Sequence, residues 1–128
     1  MGQAAHPTTV LLVEDEVLIS ALVADSLTEH GFAVHEVSTA DEALRYMDGG
    51  GEVDVLFTDV NLPGGMNGAE LADRARQRRP ELPIVYASGR YGYADLGLVP
   101  RSVFLTKPYD TNELCTLITR LTVSNPRG

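Results

Sequence analysis

The chain has 128 residues, 44% hydrophobic and 22% charged, enough for one domain with its own core and ordinary for a folded protein. Ten Lys plus Arg against eighteen Asp plus Glu give a net charge of −8, which repels phosphate backbones and anionic lipid and argues against a nucleic-acid or membrane-surface role. The single cysteine, Cys115, excludes an internal disulfide, no apolar run approaches the roughly 20 residues of a membrane span, and Met1 to Pro7 lacks the features of a secretion signal, so a cytoplasmic protein is expected.

Thr8-Thr-Val-Leu-Leu-Val13 is apolar and β-branched on consecutive positions, the pattern of a strand buried on both faces. Glu16 to His30 follows with apolar residues at 18, 19, 22, 23 and 27, a helical stripe, and Gly31 stands where a left-handed C-cap belongs. Ala33 to Val37 reads as a second strand. Thr39-Ala-Asp-Glu42 is a capping box opening a helix that Gly49-Gly-Gly51 ends. Val53 to Thr58 is a third strand, running into Asp59, and Asn61-Leu-Pro-Gly-Gly-Met66 is a turn-rich loop. Asn67-Gly-Ala-Glu70 caps a third helix to about Arg79, before Pro80. Leu82 to Ala87 and Ser102 to Leu105 are the fourth and fifth strands. Between them, Gly89 to Pro100 carries three glycines and a proline, so any helix there is short or irregular. Asp110-Thr-Asn-Glu113 is another capping box, before a last helix with Leu114, Leu117, Ile118 and Leu121.

Strands alternating with helices imply a doubly wound α/β domain, a parallel sheet with right-handed crossovers and helices on both faces. The expected organisation is an N-terminal arm over 1–7, one domain over 8–122 and a frayed tail over 123–128.

In such sheets the reactive groups gather beyond the carboxyl ends of the strands. The first strand runs into Glu14-Asp15, the third into Asp59, the fourth into Ser88 and the fifth into Thr106-Lys107-Pro108. Each residue alone has a plain explanation as the cap of the next helix. Delivery of three carboxylates, a hydroxyl and an ammonium from four strands is harder to explain as capping. Clustered carboxylates repel unless a cation neutralises them, and hard oxygen ligands suit Mg²⁺ with room for a phosphate oxygen. Lys107 is the only lysine among the ten basic residues, a compact point charge placed to offset a transferring phosphoryl group, with Ser88 able to hydrogen-bond one of its oxygens. The chemistry points to a Mg²⁺-dependent phosphoryl site with an Asp nucleophile.

These same residues resemble the receiver domain of two-component response regulators. The resemblance covers about residues 8 to 122, and Asp59-Val-Asn-Leu-Pro63 followed by Met66-Asn-Gly68 is similar to the family's phosphorylation loop. It implies a flavodoxin-like sheet of strand order 2-1-3-4-5. It further implies that Asp59 accepts a phosphoryl group from a phosphohistidine on a sensor histidine kinase or phosphotransfer protein. Asp15 and Asp59 would bind Mg²⁺, Glu14 would help directly or through water, and Asn61 would contribute its backbone carbonyl. Catalysis would be limited to self-catalysed phosphotransfer and autodephosphorylation. Phe104, three residues before Lys107, matches the family's switch aromatic, which turns inward when the residue at Ser88 moves onto the phosphate; a strand aromatic is also commonly plain core. The family's Lys-Pro bond is usually cis. The first helix, with Val17, Leu18 and Ala21 near the site, matches the usual kinase-docking face.

Four departures stand out. The acidic pair is Glu-Asp in place of Asp-Asp. Gly64-Gly65 occupies a loop position where one residue is usual, favouring mobility. Ser88 replaces the commoner Thr, and the stretch from Ser88 to Lys107 is short and rich in Gly and Tyr. The last reduces the usual dimer face, so a monomer or weak dimer is expected. Arg90 either approaches the phosphoryl group or is an exposed loop arginine; Tyr91 and Tyr93 are partner contacts or filler. Arg74, Arg76, Arg78 and Arg79 read as a solvated helix end complementing the macrodipole. Output is expected through an unknown protein target, without nucleic acid or membrane. One alternative is a receiver excised from a hybrid histidine kinase. Another is a haloacid-dehalogenase-like phosphatase, but that family places a second Asp two residues after its nucleophile, where this chain has Asn61.

Overall fold

A computed structural model describes residues 7–89 and 99–123. Within them, strands β1 (Thr9–Val13), β2 (Ala33–Val37), β3 (Val55–Asp59), β4 (Ile84–Ser88) and β5 (Ser102–Thr106) form one sheet. The helices are α1 (Val17–Glu29), α2 (Ala40–Asp48), α3 (Gly68–Arg78) and α4 (Thr111–Val123). Every neighbouring pair is parallel, in the order β2-β1-β3-β4-β5, as expected. The short or irregular helix expected between β4 and β5 lies outside the described residues, as do Arg90, Tyr91 and Tyr93.

The three central strands are buried along their whole length, whereas the edge strands β2 and β5 are partly open. Alternation splits the core into two layers. Leu11, Val13, Leu56, Ile84 and Tyr86 face α2 and α3, meeting Ala43, Leu44, Leu71 and Ala72. Val10, Leu12, Phe57, Val85 and Ala87 face α1 and α4, meeting Val23, Leu27, Leu114, Cys115 and Ile118. Truncating one of the fully buried leucines to alanine is worth about 2–5 kcal/mol.

The structure corrects the reading of α1. Its buried positions are Ser20, Val23, Ala24 and Leu27, while Val17, Leu18 and Leu22 are 76%, 79% and 68% exposed. Two stripes at helical spacing compete, and the one with small Ser20 and Ala24 packs on the sheet. Ser20 tolerates burial because its hydroxyl donates to Glu36 Oε1 at 2.7 Å.

Caps hold with adjustments. Gly31 (φ 92°) ends α1 in a Schellman arrangement, with Gly31 N–H on Thr28 O and Phe32 N–H on Leu27 O, both at 3.0 Å. The Asn67–Glu70 capping box on α3 is complete. Thr39 accepts from Glu42 N, but the Glu42 carboxylate takes the N–H of Ser38, one residue before the N-cap. Asp110 Oδ1 accepts from Asn112 N at 2.9 Å, an Asx turn at the start of α4.

The arginines of α3 are also not a simple solvated face. Arg76 donates to three carbonyls, Leu82 O (2.7 Å), Pro100 O (2.9 Å) and Arg101 O (3.0 Å). Arg78 grips Asp48 of α2 with two nitrogens, and Arg79 Nη1 donates to Val53 O. These side chains turn back from the end of α3 and tie it to α2 and to the turns entering β3, β4 and β5. Periodicity could not reveal that, since every one of these partners but Leu82 is more than 20 residues away in sequence.

Candidate functional site

Register assembles the site. Val13 of β1 pairs with Thr58 of β3, so the next residues, Glu14 and Asp59, emerge side by side at the carboxyl end of the sheet. Asp59 pairs with Ala87 and Ser88 pairs with Thr106, bringing Ser88 and Lys107 to the same rim. Lys107 N–H donates to Ser88 O at 2.9 Å, one step beyond β5, and Glu14 N–H donates to Val37 O at 3.1 Å. The Lys107–Pro108 peptide is cis, matching the resemblance.

Three carboxylates meet here. Oxygens of Glu14, Asp15 and Asp59 lie within 4.8 Å of one another, close enough to share one cation. Glu14 and Asp59 are nearly buried and Asp15 is exposed, so the cluster is open to solvent on one side. Lys107 Nζ bonds Asp59 Oδ2 at 3.0 Å and stands 3.8 Å from Glu14 Oε1. The other Glu14 oxygen, Oε2, accepts from Glu16 N at 3.0 Å.

Burial pushes the Glu14 carboxyl above its ordinary value, outweighing the Glu16 N–H and the Lys107 charge, which pull it down; Asp59 and Asp15 push it further up. For Lys107 the largest influence, burial, acts to lower its pKa. The bond to Asp59 and the charges of Asp59, Glu14 and Glu16 together outweigh it, so the ammonium is held above its ordinary value.

Ser88 is buried at the end of β4. Phe104 pairs directly with Tyr86 across β4 and β5 and packs, half-buried, on the core layer facing α2 and α3. By strand alternation Phe104 and Ser88 belong to the same face of the sheet. The side chain of Asn61 is exposed, in the loop that opens the far side of Asp59. Half-buried Leu62 and Met66 pin that loop to the core. Between them Gly64 (φ 92°) and Gly65 (φ 93°) both adopt a backbone that L side chains rarely take, so the added glycine makes a specific turn.

Two residues take on roles that the sequence did not assign them. Gly68, the first residue of α3, donates its N–H to Val60 O at 2.7 Å and packs against the backbone of Asp59. Tyr109, two residues after Lys107, lays its ring edge-on against Phe57 of β3, with centroids 5.6 Å apart at 78°. An aromatic so soon after Lys107 was the available signal for the second; the first stood in the Met66-Asn-Gly68 motif, but its close approach to Asp59 shows only in the packing.

Comparison with known proteins agrees with this geometry. The model of the response regulator receiver domain matches residues 10–119. The chain is 35% identical over 114 residues to the Sensor kinase CckA of Brucella abortus, covering 86% of this chain and 12% of that protein. It is 35% identical over 120 residues to the Transcriptional regulatory protein TcrA of Mycobacterium tuberculosis, covering 91% of this chain and 47% of that one. The chain thus spans less than half the length of either curated relative. Among solved structures, a response regulator receiver protein from Sinorhizobium medicae superposes with a TM-score of 0.84 at 33% identity, covering 90% of this chain and 94% of that one.

Proposed function

The chain belongs to the response regulator receiver family, and on that premise we propose that Asp59 is its phosphoryl acceptor, with Lys107 and Ser88 as the groups that answer the phosphoryl charge. The observation that carries the reading is the Lys107 Nζ to Asp59 Oδ2 contact of 3.0 Å inside a three-carboxylate cluster. A carboxylate oxygen of Asp59 attacks the phosphorus of a phosphohistidine; the O–P bond forms as the N–P bond breaks, and the imidazole nitrogen leaves with the electron pair. Lys107, already charged and already beside the nucleophile, offsets negative charge on the transferring oxygens without reorganising. Hydrolysis of the acyl phosphate by water resets the site, so catalysis is confined to the domain's own phosphotransfer and dephosphorylation.

The donor set fits a hard divalent cation. Asp15 and Asp59 would hold Mg²⁺ directly, Glu14 directly or through water, and Asn61 through its backbone carbonyl; when bound, Mg²⁺ neutralises charge on the phosphoryl oxygens. Ser88 and Lys107 gain phosphoryl contacts only in the modified state, and that difference biases the conformation, with Phe104 as the responding aromatic. The functional unit is residues 8–122.

The donor is a sensor histidine kinase or a phosphotransfer protein. Supporting this are the kinship with Sensor kinase CckA and the exposed Val17, Leu18 and Leu22 on α1, directly after the Glu14-Asp15 pair. A second arrangement, in which this receiver works as one module of a hybrid kinase, is favoured by the same kinship; the length of the encoding reading frame decides it.

The test is intact-protein mass after incubation with acetyl phosphate and Mg²⁺. One phosphoryl adduct is expected, lost with EDTA and absent from Asp59→Asn. An adduct that persists in Asp59→Asn would place the acceptor elsewhere. Beryllium fluoride binding distinguishes a short-lived phosphoryl group from a site that takes none.

A further inference from the structure

Lys107 is the chain's only lysine, and it must reach Asp59 from a turn that lies beyond the end of β5. One attachment of that turn is backbone: Lys107 N–H donates to Ser88 O at 2.9 Å, which fixes the residue to β4. A lysine stem has four rotatable carbons, so a single backbone bond leaves the position of the ammonium underdetermined. The second attachment comes two residues later. The half-buried ring of Tyr109 meets the buried ring of Phe57 edge-on, centroids 5.6 Å apart at 78°, within the core layer that faces α1 and α4. Phe57 stands two residues before Asp59 on β3. The turn carrying the lysine is therefore fastened at its start to β4 and at its end to β3, the strand whose last residue is the acceptor.

We propose that Tyr109 is a positioning residue for phosphoryl transfer, acting through Lys107: its ring, seated on Phe57, holds the Lys107-Pro108 turn so that the ammonium stays on Asp59. The proposal rests on the roles given above to Asp59 and Lys107. It is the ring, not the hydroxyl, that does the holding. The phenol is nonetheless suited to its place. Burial, and then the charges of Glu14 and Asp59, push its pKa up to about 12. It stays neutral beside the carboxylates and adds no further negative charge to the cluster.

Because there is one lysine, protein labelled with ¹³C-lysine gives one Cε methylene signal, and its relaxation reports directly how firmly Lys107 is held. Tyr109→Ala is expected to make that methylene mobile and to slow phosphorylation by acetyl phosphate about tenfold, with Mg²⁺ affinity changed by less than about twofold. Tyr109→Phe keeps the ring and is expected to match the unaltered protein in all three readings. Added to Lys107→Ala, the Tyr109→Ala change is expected to slow phosphorylation no further, since a residue acting through Lys107 has nothing left to position. Tyr109→Leu, which retains apolar bulk without an aromatic edge, gives the same loosening should the alanine variant not fold.

A Lys107 methylene as ordered in the folded Tyr109→Ala or Tyr109→Leu variant as in the original would overturn the proposal. So would a double variant slower than Lys107→Ala by the full factor, or a Tyr109→Phe variant as slow as Tyr109→Ala. Should the unaltered protein take up no phosphoryl group at Asp59, the acceptor reading fails, while the lysine relaxation still decides the role of Tyr109.

Discussion

A Cβ placed on Gly68 would stand 2.1 Å from the carbonyl oxygen of Asp59. The start of α3 thus lies directly against the backbone of the proposed acceptor residue, and no side chain fits between them. Gly68→Ala must push either the helix or the end of β3 away. Overpacking of this kind typically costs about 1–3 kcal/mol. Urea unfolding should show a loss in that range, and phosphorylation by acetyl phosphate should slow in the fraction that remains folded. An unchanged unfolding midpoint with unchanged phosphorylation would mean that α3 moves aside freely.

Lys107→Ala removes the one positive side chain that, among the described residues, bonds the proposed acceptor Asp59, leaving Glu14, Asp15 and Asp59 to repel one another. Mg²⁺ affinity should hold or rise, because a competing cation has gone. Phosphorylation should no longer alter the surroundings of Phe104, which ¹H–¹⁵N spectra with and without beryllium fluoride would show. Normal switching in this variant would remove Lys107 from the mechanism.

Glu14 carries a pH signature. Its folded-state pKa is raised above 4.5, chiefly by burial. Between the unfolded and folded values the native state binds more protons, so this group's contribution to stability declines as pH rises through that window and stays unfavourable above it. Glu14→Gln keeps an oxygen for the Glu16 N–H but carries no charge. It should raise the thermal midpoint of the metal-free protein at pH 7 and weaken Mg²⁺ binding, a stability cost accepted for function. The gain should vanish as pH is lowered below the ordinary carboxylate range. A variant less stable than the original at pH 7 would show that attraction to Lys107 outweighs burial.

Lys107 shows a decline of the same sign in a more alkaline window, but there it is a favourable contribution that is lost. Its folded pKa is raised above 10.5, so the stability contributed by its contacts with Asp59 and Glu14 is fully present below that value and is lost as pH rises through the folded one. The alkaline limb of a thermal-midpoint profile should flatten in Lys107→Ala, whereas a change of Arg74 should leave that limb unaltered.

Arg76 spends its guanidinium on the carbonyls of Leu82, Pro100 and Arg101, up to 25 residues away in sequence. Arg76→Met keeps the stem and removes every donor. Losing hydrogen bonds to a charged group costs about 1.5–3 kcal/mol each when they are well formed, and exposure of two of these bonds reduces that. Urea unfolding should therefore register a loss of roughly 1–3 kcal/mol. An effect as small as that of Arg74→Ala would return Arg76 to the solvated face on which its spacing first placed it.

The strand–helix alternation was legible because strands buried on both faces leave continuous apolar runs, as in Val10 to Val13 and Ile84 to Ala87. The residues of the proposed site follow those runs immediately, so Glu14, Asp15, Asp59, Ser88 and Lys107 could be named from order alone. The caps at Gly31 and Asn67 were legible for the same reason: they satisfy backbone groups within a few residues of themselves.

What sequence order could not supply is anything decided between distant segments. Lys107 and Asp59 are 48 positions apart, and only the parallel register of β1, β3, β4 and β5 brings one to within 3.0 Å of the other. Of two apolar stripes on α1, the sheet selected the one whose small residues allow closer approach, leaving Val17, Leu18 and Leu22 outside. The closure of Gly68 on Asp59 and of Tyr109 on Phe57 arose the same way. Local pattern records what a residue does to its own backbone and which way it prefers to face; which neighbour it meets is settled by packing, where every element competes for the same core.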